Sequence, residues 1–463
     1  MQTTAVAGGA GRQWFGHPPG LWFLCFAEAW ERFSYYGMQA LLVLYMTQHL
    51  LLPEHVHQVA GFEAFRGLID PTHSLSPIAL GSAIFGLYAG GVYLTPILGG
   101  FLADQVLGRT WTITIGAILM AIGHFLMAFE ASFLLALACL LVGVGCFKGN
   151  IATQVGELYG PDDLRRADAF QAFYIGLSIA VIVSPLVCGT LGEKVAWHWG
   201  FGAAGVGMLI GLAVYLASRR FLPPDTRKAR LDKDVLEHRP QITAREWGTV
   251  AVLIALLPVL AVSALGNMQI FNAYLVWGDA HYDLEFGGQR LPVTWLVSLD
   301  AIVSTGCLIA MLGFWRLWGR WREQPDEIVK LAIGAVIAAG APLLLALGSA
   351  NEAATGHKVS LAWGLGFHII NDIGYANMFP VGLALFSRAA PRAIGGALIG
   401  VYYLHLFVAN LVVGYLGRYL EPMGPTAFWM LHAGLVFGGA VALVLFAIVF
   451  RRRLAPTTEV EVA

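Results

Sequence analysis

The sequence has 463 residues and a formal net charge of −1, and 57% of it is hydrophobic while only 12% is Asp, Glu, Lys or Arg. An ordinary soluble domain has about twice that share of charged residues, so the composition, with a mean hydropathy of +0.68, indicates an integral membrane protein. It argues against a nucleic-acid-binding protein, a secreted disulfide scaffold and a large soluble catalytic domain.

Apolar segments follow one another along the whole chain, separated by breaks rich in Gly, Pro and charge. A helix needs about 20 residues to cross about 30 Å of hydrocarbon, and twelve segments meet that length. The sequence therefore predicts an all-α membrane protein with twelve transmembrane helices. Their predicted bounds are 20–51, 77–100, 109–130, 133–155, 168–191, 198–221, 246–277, 291–318, 327–348, 359–386, 394–420 and 425–450.

Lys and Arg residues give the predicted orientation, because cationic loops near span ends stay in the cytoplasm. With both termini inside, the inner segments hold 21 of them and the outer segments five, while Arg32 and Lys148 fall within spans. This asymmetry supports an even number of spans. We expect a protein of the bacterial inner membrane with N- and C-termini in the cytoplasm.

The most hydrophilic stretch lies at the middle of the chain, after the sixth span. It predicts a cytoplasmic linker at 222–245 between two six-helix bundles, 1–221 and 246–463. Six plus six helices is the layout of many secondary transporters, whose substrate site lies near the membrane midplane. The charges of the linker are interpreted as a solvated tether.

The first span carries three charged residues, Glu28, Glu31 and Arg32, on one helix face because they are three or four positions apart. An unpaired charge at membrane depth costs at least about 2.5–3.5 kcal/mol, so they must be paired. The fourth span adds Lys148. Two carboxylates and two cations form a neutral set whose pairing one proton can change, either as a proton-coupled latch or as a static ion-pair cluster.

Between the second and third spans, residues 99–109 read GGFLADQVLGR. They resemble the cytoplasmic loop signature of the major facilitator superfamily. The resemblance implies that Gly100 and Gly108 permit close helix approach, and that Asp104 and Arg109 hold the inner gate.

Three further motifs resemble the proton-dependent oligopeptide transporter (POT) family. They are EAWERFSYYG at 28–37, FKGN with GELY at 147–159, and Phe173-Tyr174 in the fifth span. The resemblance implies the major facilitator fold and a proton-coupled symporter that imports di- or tripeptides or peptide-like solutes by alternating access. It also implies proton coupling by Glu28, Glu31, Arg32 and Lys148.

Several positions depart from the family pattern. Gln39 stands where a second Arg is usual, Ser178 replaces a fifth-span Asn, and Tyr375 replaces a tenth-span Glu. These departures remove side chains that are expected to bind the two charged ends of a peptide. The residues predicted to bind substrate are Tyr36, Gln39, Lys148, Ser178, Trp295, Asp300, Asp372, Tyr375 and Asn377.

Two acids lie well inside the spans of the second half. Asp300 stands where the family commonly has Asn, and it is either an ion-pair or capping group or a cavity residue. Asp372 precedes Tyr375 by about one helical turn, so it can present a carboxylate near the position of the missing Glu. Because a buried carboxylate needs a cation or a proton, Asp372 either binds a substrate ammonium group or titrates during transport.

Other functions have less support. An intramembrane enzyme needs a nucleophile with a base or a metal cluster at membrane depth, and the sequence contains no such motif. We expect no metal and no cofactor other than protons as the coupling ion, and a monomer in contact with lipid. The alternatives are a proton-coupled transporter of another small polar solute, or a transporter-like sensor that binds solute without moving it.

Overall fold

The computed structural model describes residues 13–160, 163, 165–223, 242–391 and 393–454. Most of the predicted linker, 224–241, lies outside the described residues, as do the cations counted there. The described part of the chain is almost entirely helical, as predicted.

In the described part of the chain, twelve long helices follow the twelve predicted spans. Eleven of these described helices are long and apolar enough to cross a membrane. The remaining one, α1, has 27 residues, about 40 Å of helix, and contains the three charged residues of the first span. The helices are α1 Pro19–Tyr45, α2 Pro77–Leu107, α3 Arg109–Leu126, α4 Glu130–Glu157, α5 Asp168–Lys194, α6 Trp197–Ala217, α7 Ala244–Ser263, α8 Trp295–Trp318, α9 Glu327–Thr355, α10 Leu361–Ala389, α11 Gly395–Met423 and α12 Pro425–Leu454.

Short elements fill two of the connections. A helix at Phe62–Ile69 lies between α1 and α2. The predicted seventh span, 246–277, is broken, because α7 ends at Ser263 and two shorter helices, Leu265–Met268 and Ala273–His281, follow it. An antiparallel hairpin of β1 Glu285–Phe286 and β2 Gln289–Arg290 then leads to α8.

Local sequence explains where several helices begin. Gly108 separates α2 from α3 with φ +81°, a left-handed conformation that glycine adopts without a steric penalty. α7 begins with a capping box, in which the Glu246 amide donates to the Thr243 hydroxyl and the Thr243 amide donates to the Glu246 carboxylate. α9 begins after Asp326, whose carboxylate accepts from a first-turn amide.

Contacts between Cα atoms divide the chain into two compact units. The first comprises the described parts of 1–38 and 95–229, and the second those of 39–94 and 230–463. Each unit has its own apolar core. The division into bundles 1–221 and 246–463 stays a prediction.

Close helix packing characterises the first unit. A methyl group added at Gly99 on α2 would lie 1.9 Å from the carbonyl oxygen of Gly145 on α4, so the two backbones touch at this point. Helices α1, α3, α4 and α6 contribute fully buried side chains, among them Leu24, Ile113, Phe133 and Phe201.

The second unit contains an apolar core, to which α7, α9, α10, α11 and α12 contribute. Residues 77–94 of α2 also belong to this unit and pack on α11. A methyl group at Gly86 would lie 2.7 Å from the Cα atom of Gly414. The Ser82 hydroxyl donates to the Asn272 side chain at 2.7 Å, in the break between the two short helices after α7. Fully buried core side chains are Leu253, Leu331, Leu385, Val413 and Leu443.

Candidate functional site

The charged residues of α1 form a buried cluster. Arg32 Nε donates to Glu28 Oε1 at 2.9 Å, and Arg32 Nη2 lies 2.8 Å from the same oxygen. Arg32 Nε also lies 3.1 Å from Glu31 Oε2. The exposed fractions of Glu28, Glu31 and Arg32 are 2%, 0% and 6%. The pairing that the spacing requires is therefore present within one helix.

The fourth charge of the set comes from α4. Lys148 is half-buried and interacts electrostatically with Arg32, Glu31 and Glu28. The two carboxylates and two cations cancel, which lowers the cost of burying them. We call these four residues the α1–α4 charge cluster.

The two carboxylates of this cluster differ in hydrogen bonding. Glu28 accepts the Arg32 bond through Oε1. Neither oxygen of Glu31 accepts a hydrogen bond from the residues that the structure describes. Glu31 is therefore held by charge alone, and a carboxylate without donors is the one that a proton stabilises most.

Other predicted residues of the first half lie as follows. Tyr36, one turn after Arg32, is half-buried and interacts electrostatically with it. Gln39 is buried at 8% exposure, and its Oε1 has no hydrogen-bond partner among the described residues. Ser178 on α5 is half-buried, and its hydroxyl donates to the backbone oxygen of Tyr174 at 3.1 Å.

The predicted gating motif forms an ion-pair network. Arg109 lies 3.3 Å from Asp104 and also pairs closely with Glu157 at the end of α4. Glu157 belongs to the GELY motif, but the sequence did not identify its partner. Gly108 supplies the positive φ between the two helices. A methyl group at Gly100 would meet no atom within 4 Å, so the close approach expected there occurs at Gly99 instead.

In the second half, Asp300 and Asp372 are brought together with a histidine. His368 Nδ1 lies 2.9 Å from Asp300 Oδ1, and the ligand atoms of Asp300, His368 and Asp372 all lie within 4.8 Å of one another. His368 is fully buried, and 15% of the Asp300 side chain is exposed. Two ionised carboxylates at that distance repel by about 3 kcal/mol or more at an effective dielectric constant of about 20. We call these three residues the acid–histidine cluster.

Hydrogen bonds extend this cluster on both sides. Tyr282 OH donates to Tyr274 OH at 3.3 Å, and Tyr274 OH lies 2.9 Å from His368 Nε2. On the other side, Asn371 Nδ2 donates to Asp372 Oδ1 at 3.0 Å. The other Asp372 oxygen is buried and has no partner among the described residues.

The last three predicted substrate residues lie in different environments. Trp295, at the start of α8, is 36% exposed. Tyr375 stacks on Phe379, with ring centroids 5.5 Å apart. Asn377 is buried, and it accepts a hydrogen bond from Trp315 Nε1 at 2.7 Å and donates one to the backbone of α10. Its amide therefore helps to hold α10 against α8.

Sequence reasoning missed His368, Tyr274 and Tyr282. One signal was readable, because His368 and Asp372 are four residues apart and so share a helix face. The pairing of His368 with Asp300 joins two helices, α10 and α8, and local spacing carries no information about it.

Comparisons with known proteins agree with these features. A family model described as the POT family matches residues 110–238. The peptide transporter YePEPT of Yersinia enterocolitica is 28% identical, with 99% of each chain covered. The di-/tripeptide transporter of Lactococcus lactis subsp. cremoris is 27% identical, with 85% of this chain and 88% of that protein covered.

Solved structures are similar over almost the whole chain. A crystal structure of a variant of the peptide transporter POT in complex with alafosfalin is 27% identical, with a TM-score of 0.82, 96% of this chain covered and 97% of that chain covered. A structure of the same transporter in complex with sulfate is 26% identical with the same TM-score and coverage. The chain has the major facilitator fold and is similar to POT family transporters over almost its whole length, so it is a membrane transporter and not an enzyme.

Proposed function

We propose that this transporter is a proton-coupled symporter that imports di- and tripeptides or peptide-like solutes by alternating access. The observation that carries the proposal is the α1–α4 charge cluster, which is buried, neutral as a set and able to change its pairing with one proton. The names of its relatives, peptide transporter and di-/tripeptide transporter, support a peptide as the substrate.

Glu31 is the proposed proton acceptor of the cluster. It accepts no hydrogen bond among the described residues, so a proton costs it no existing bond. Protonation would remove one negative charge and leave Arg32 and Lys148 sharing Glu28. That change frees one cation at membrane depth, and the freed cation is available to the carboxylate of a peptide. Lys148 is the proposed residue for this contact.

The amino end of the peptide is assigned to the second half of the chain. Asp300 is the first proposed partner, because its side chain is partly exposed, and Asp372 is the second. Trp295 and Tyr375 are proposed to contact the body of the substrate, and Tyr36, Gln39, Ser178 and Asn377 to supply further polar groups. Arg109, with Asp104, Gly108 and Gly100, is proposed to form the inner gate.

The cellular setting follows from charge. The excess of Lys and Arg on one side of the predicted spans supports a cytoplasmic place for both termini. The bacterial sources of its relatives support a place in the bacterial inner membrane. There the membrane potential drives protons inward. The transporter is proposed to act as a monomer among lipids, with protons as its coupling ion.

Thermal stability of the purified protein tests the substrate class. A ligand at a hundred times its Kd stabilises the folded state by about 2.7 kcal/mol, so a binding peptide raises Tm. We expect di- and tripeptides to raise Tm and free amino acids to leave it unchanged. Stabilisation by other small polar solutes alone would contradict the peptide assignment. Binding without counterflow in liposomes would identify a sensor instead of a transporter.

A further inference from the structure

We propose that the acid–histidine cluster, Asp300, His368 and Asp372, is a second proton-binding site, separate from the α1–α4 charge cluster. A proton occupies it when no substrate ammonium group is present. The binding of this proton is independent of the proposed function, while its role in transport rests on that function. Proton binding and its role in transport can therefore be tested separately.

The hydrogen-bond chain favours one tautomer of the histidine. Because Tyr282 OH donates to Tyr274 OH, the Tyr274 hydrogen is free to be donated to His368 Nε2 at 2.9 Å. The histidine hydrogen then lies on Nδ1, where it is donated to Asp300 Oδ1 at 2.9 Å. In this arrangement the imidazole is neutral and every polar atom of His368 has a partner.

Asp372 is the member of the cluster with an unused position. It is 1% exposed, its Oδ1 accepts from Asn371, and its Oδ2 has no partner among the described residues. A buried acceptor without a donor is costly. A proton on Oδ2 removes the negative charge and turns this atom into a donor, in a cluster whose ligand atoms lie within 4.8 Å of one another.

The charges around Asp372 leave it without a cationic partner. Among the described residues it interacts electrostatically with one carboxylate, Asp300, and with no Lys or Arg. The other titratable groups facing the pair are Cys307 on α8 and Tyr274, together with Tyr282 behind it. None of these is a cation, so two ionised carboxylates and a neutral imidazole would leave two uncompensated negative charges. A proton on Asp372 is the proposed compensation for one of them, while Asp300 keeps the hydrogen bond with His368.

This situation is the opposite of that in the first half. There Arg32 and Lys148 already balance Glu28 and Glu31, and a proton redistributes existing pairs. In the acid–histidine cluster the proton supplies the missing positive charge. A substrate ammonium group would supply the same charge, so proton and ammonium would exchange at this site.

Infrared spectroscopy of the purified transporter, recorded without peptide, tests proton binding directly. The C=O stretch of a protonated carboxyl group is distinct from the bands of a carboxylate. We expect this band in the wild type and its loss in Asp372→Asn. The matched control, Asp283→Asn, changes an exposed aspartate of the same half and should keep the band. A band of equal size in Asp372→Asn would overturn the proposal.

A second measurement needs no variant and so does not depend on the folding of Asp372→Asn. Labelling of aspartate with ¹³C in the wild type should shift the band, which distinguishes it from Glu28 and Glu31. A band that does not shift would overturn the proposal. So would one equivalent of divalent metal in the purified protein that His368→Gln removes, because the cluster would then be a metal site.

Transport supplies the remaining test. If this proton is coupled, Asp372→Asn lowers the limiting accumulation of peptide by about fiftyfold at 100 mV, the contribution of one proton. Unchanged accumulation together with a lost infrared band would overturn the coupling role and leave the binding site in place. Absence of peptide transport in the wild type would contradict the proposed function, while the infrared result would still stand.

Discussion

Replacing Lys148 with Ala should abolish proton-driven accumulation of peptide. The substitution removes one of two cations from a neutral set of four charges, so one carboxylate loses its compensation. An uncompensated charge at membrane depth costs about 2.5–3.5 kcal/mol, which is a factor of roughly 70 to 400 in an equilibrium constant. A proton held permanently on Glu31 avoids this cost, and a proton that never leaves cannot drive transport.

Proteoliposomes with an imposed proton gradient measure the effect. One coupled proton at 100 mV allows the wild type to concentrate a neutral peptide about fiftyfold. The Lys148→Ala variant should reach a concentration ratio near one. The control is Lys358→Ala, because Lys358 is an exposed lysine outside the cluster, and it should accumulate peptide as the wild type does. Wild-type accumulation by Lys148→Ala under the same gradient would refute the latch and leave a static ion-pair cluster.

Four further substitutions test other parts of the structure. Gly99→Ala should lower the free energy of unfolding in detergent by about 1–3 kcal/mol, because its methyl group would lie 1.9 Å from the Gly145 oxygen. The control, Gly100→Ala, places its methyl group in open space and should leave the free energy of unfolding unchanged or raise it by up to about 1 kcal/mol. Equal Tm values for the two variants would contradict the close packing at Gly99. Arg109→Ala removes the partner of two carboxylates, and it should slow peptide uptake without changing peptide-induced stabilisation. Asp300→Asn should weaken binding of amino-bearing peptides by about tenfold, the loss of one charge-assisted hydrogen bond, and spare N-acetylated analogues; an equal loss for both classes would refute the assignment of the amino end.

The helices were largely predictable because membrane spans follow from length and hydropathy. The exception, span seven, is broken at residue 272, and apolar content alone gave no sign of it. Asn272 and Gln269 are fully buried there, and their side chains bond to groups distant in sequence, Ser82 and His432. Such long-range partners decide whether a polar residue continues a helix or ends it.

The two charged clusters were also predictable only where local spacing determines the contacts. The pairing of Glu28 with Arg32 was predictable because both lie on one helix four residues apart, and Lys148 was predictable as the other cation within a span. The contact of His368 with Asp300 depends on how α8 and α10 pack, which no spacing encodes. Gly99 and Gly100 differ by only one position, but a rotation of about 100° per residue decides which of them meets α4.

The most direct test of proton coupling compares wild type and Glu31→Gln in the same proteoliposome preparation. Glutamine mimics a permanently protonated carboxylate with almost unchanged shape. We expect the wild type to accumulate a dipeptide against its gradient when a proton gradient is imposed, and Glu31→Gln to catalyse counterflow of the labelled dipeptide without accumulating it. Proton-driven accumulation by Glu31→Gln equal to that of the wild type would contradict the assignment of Glu31 as the coupling residue.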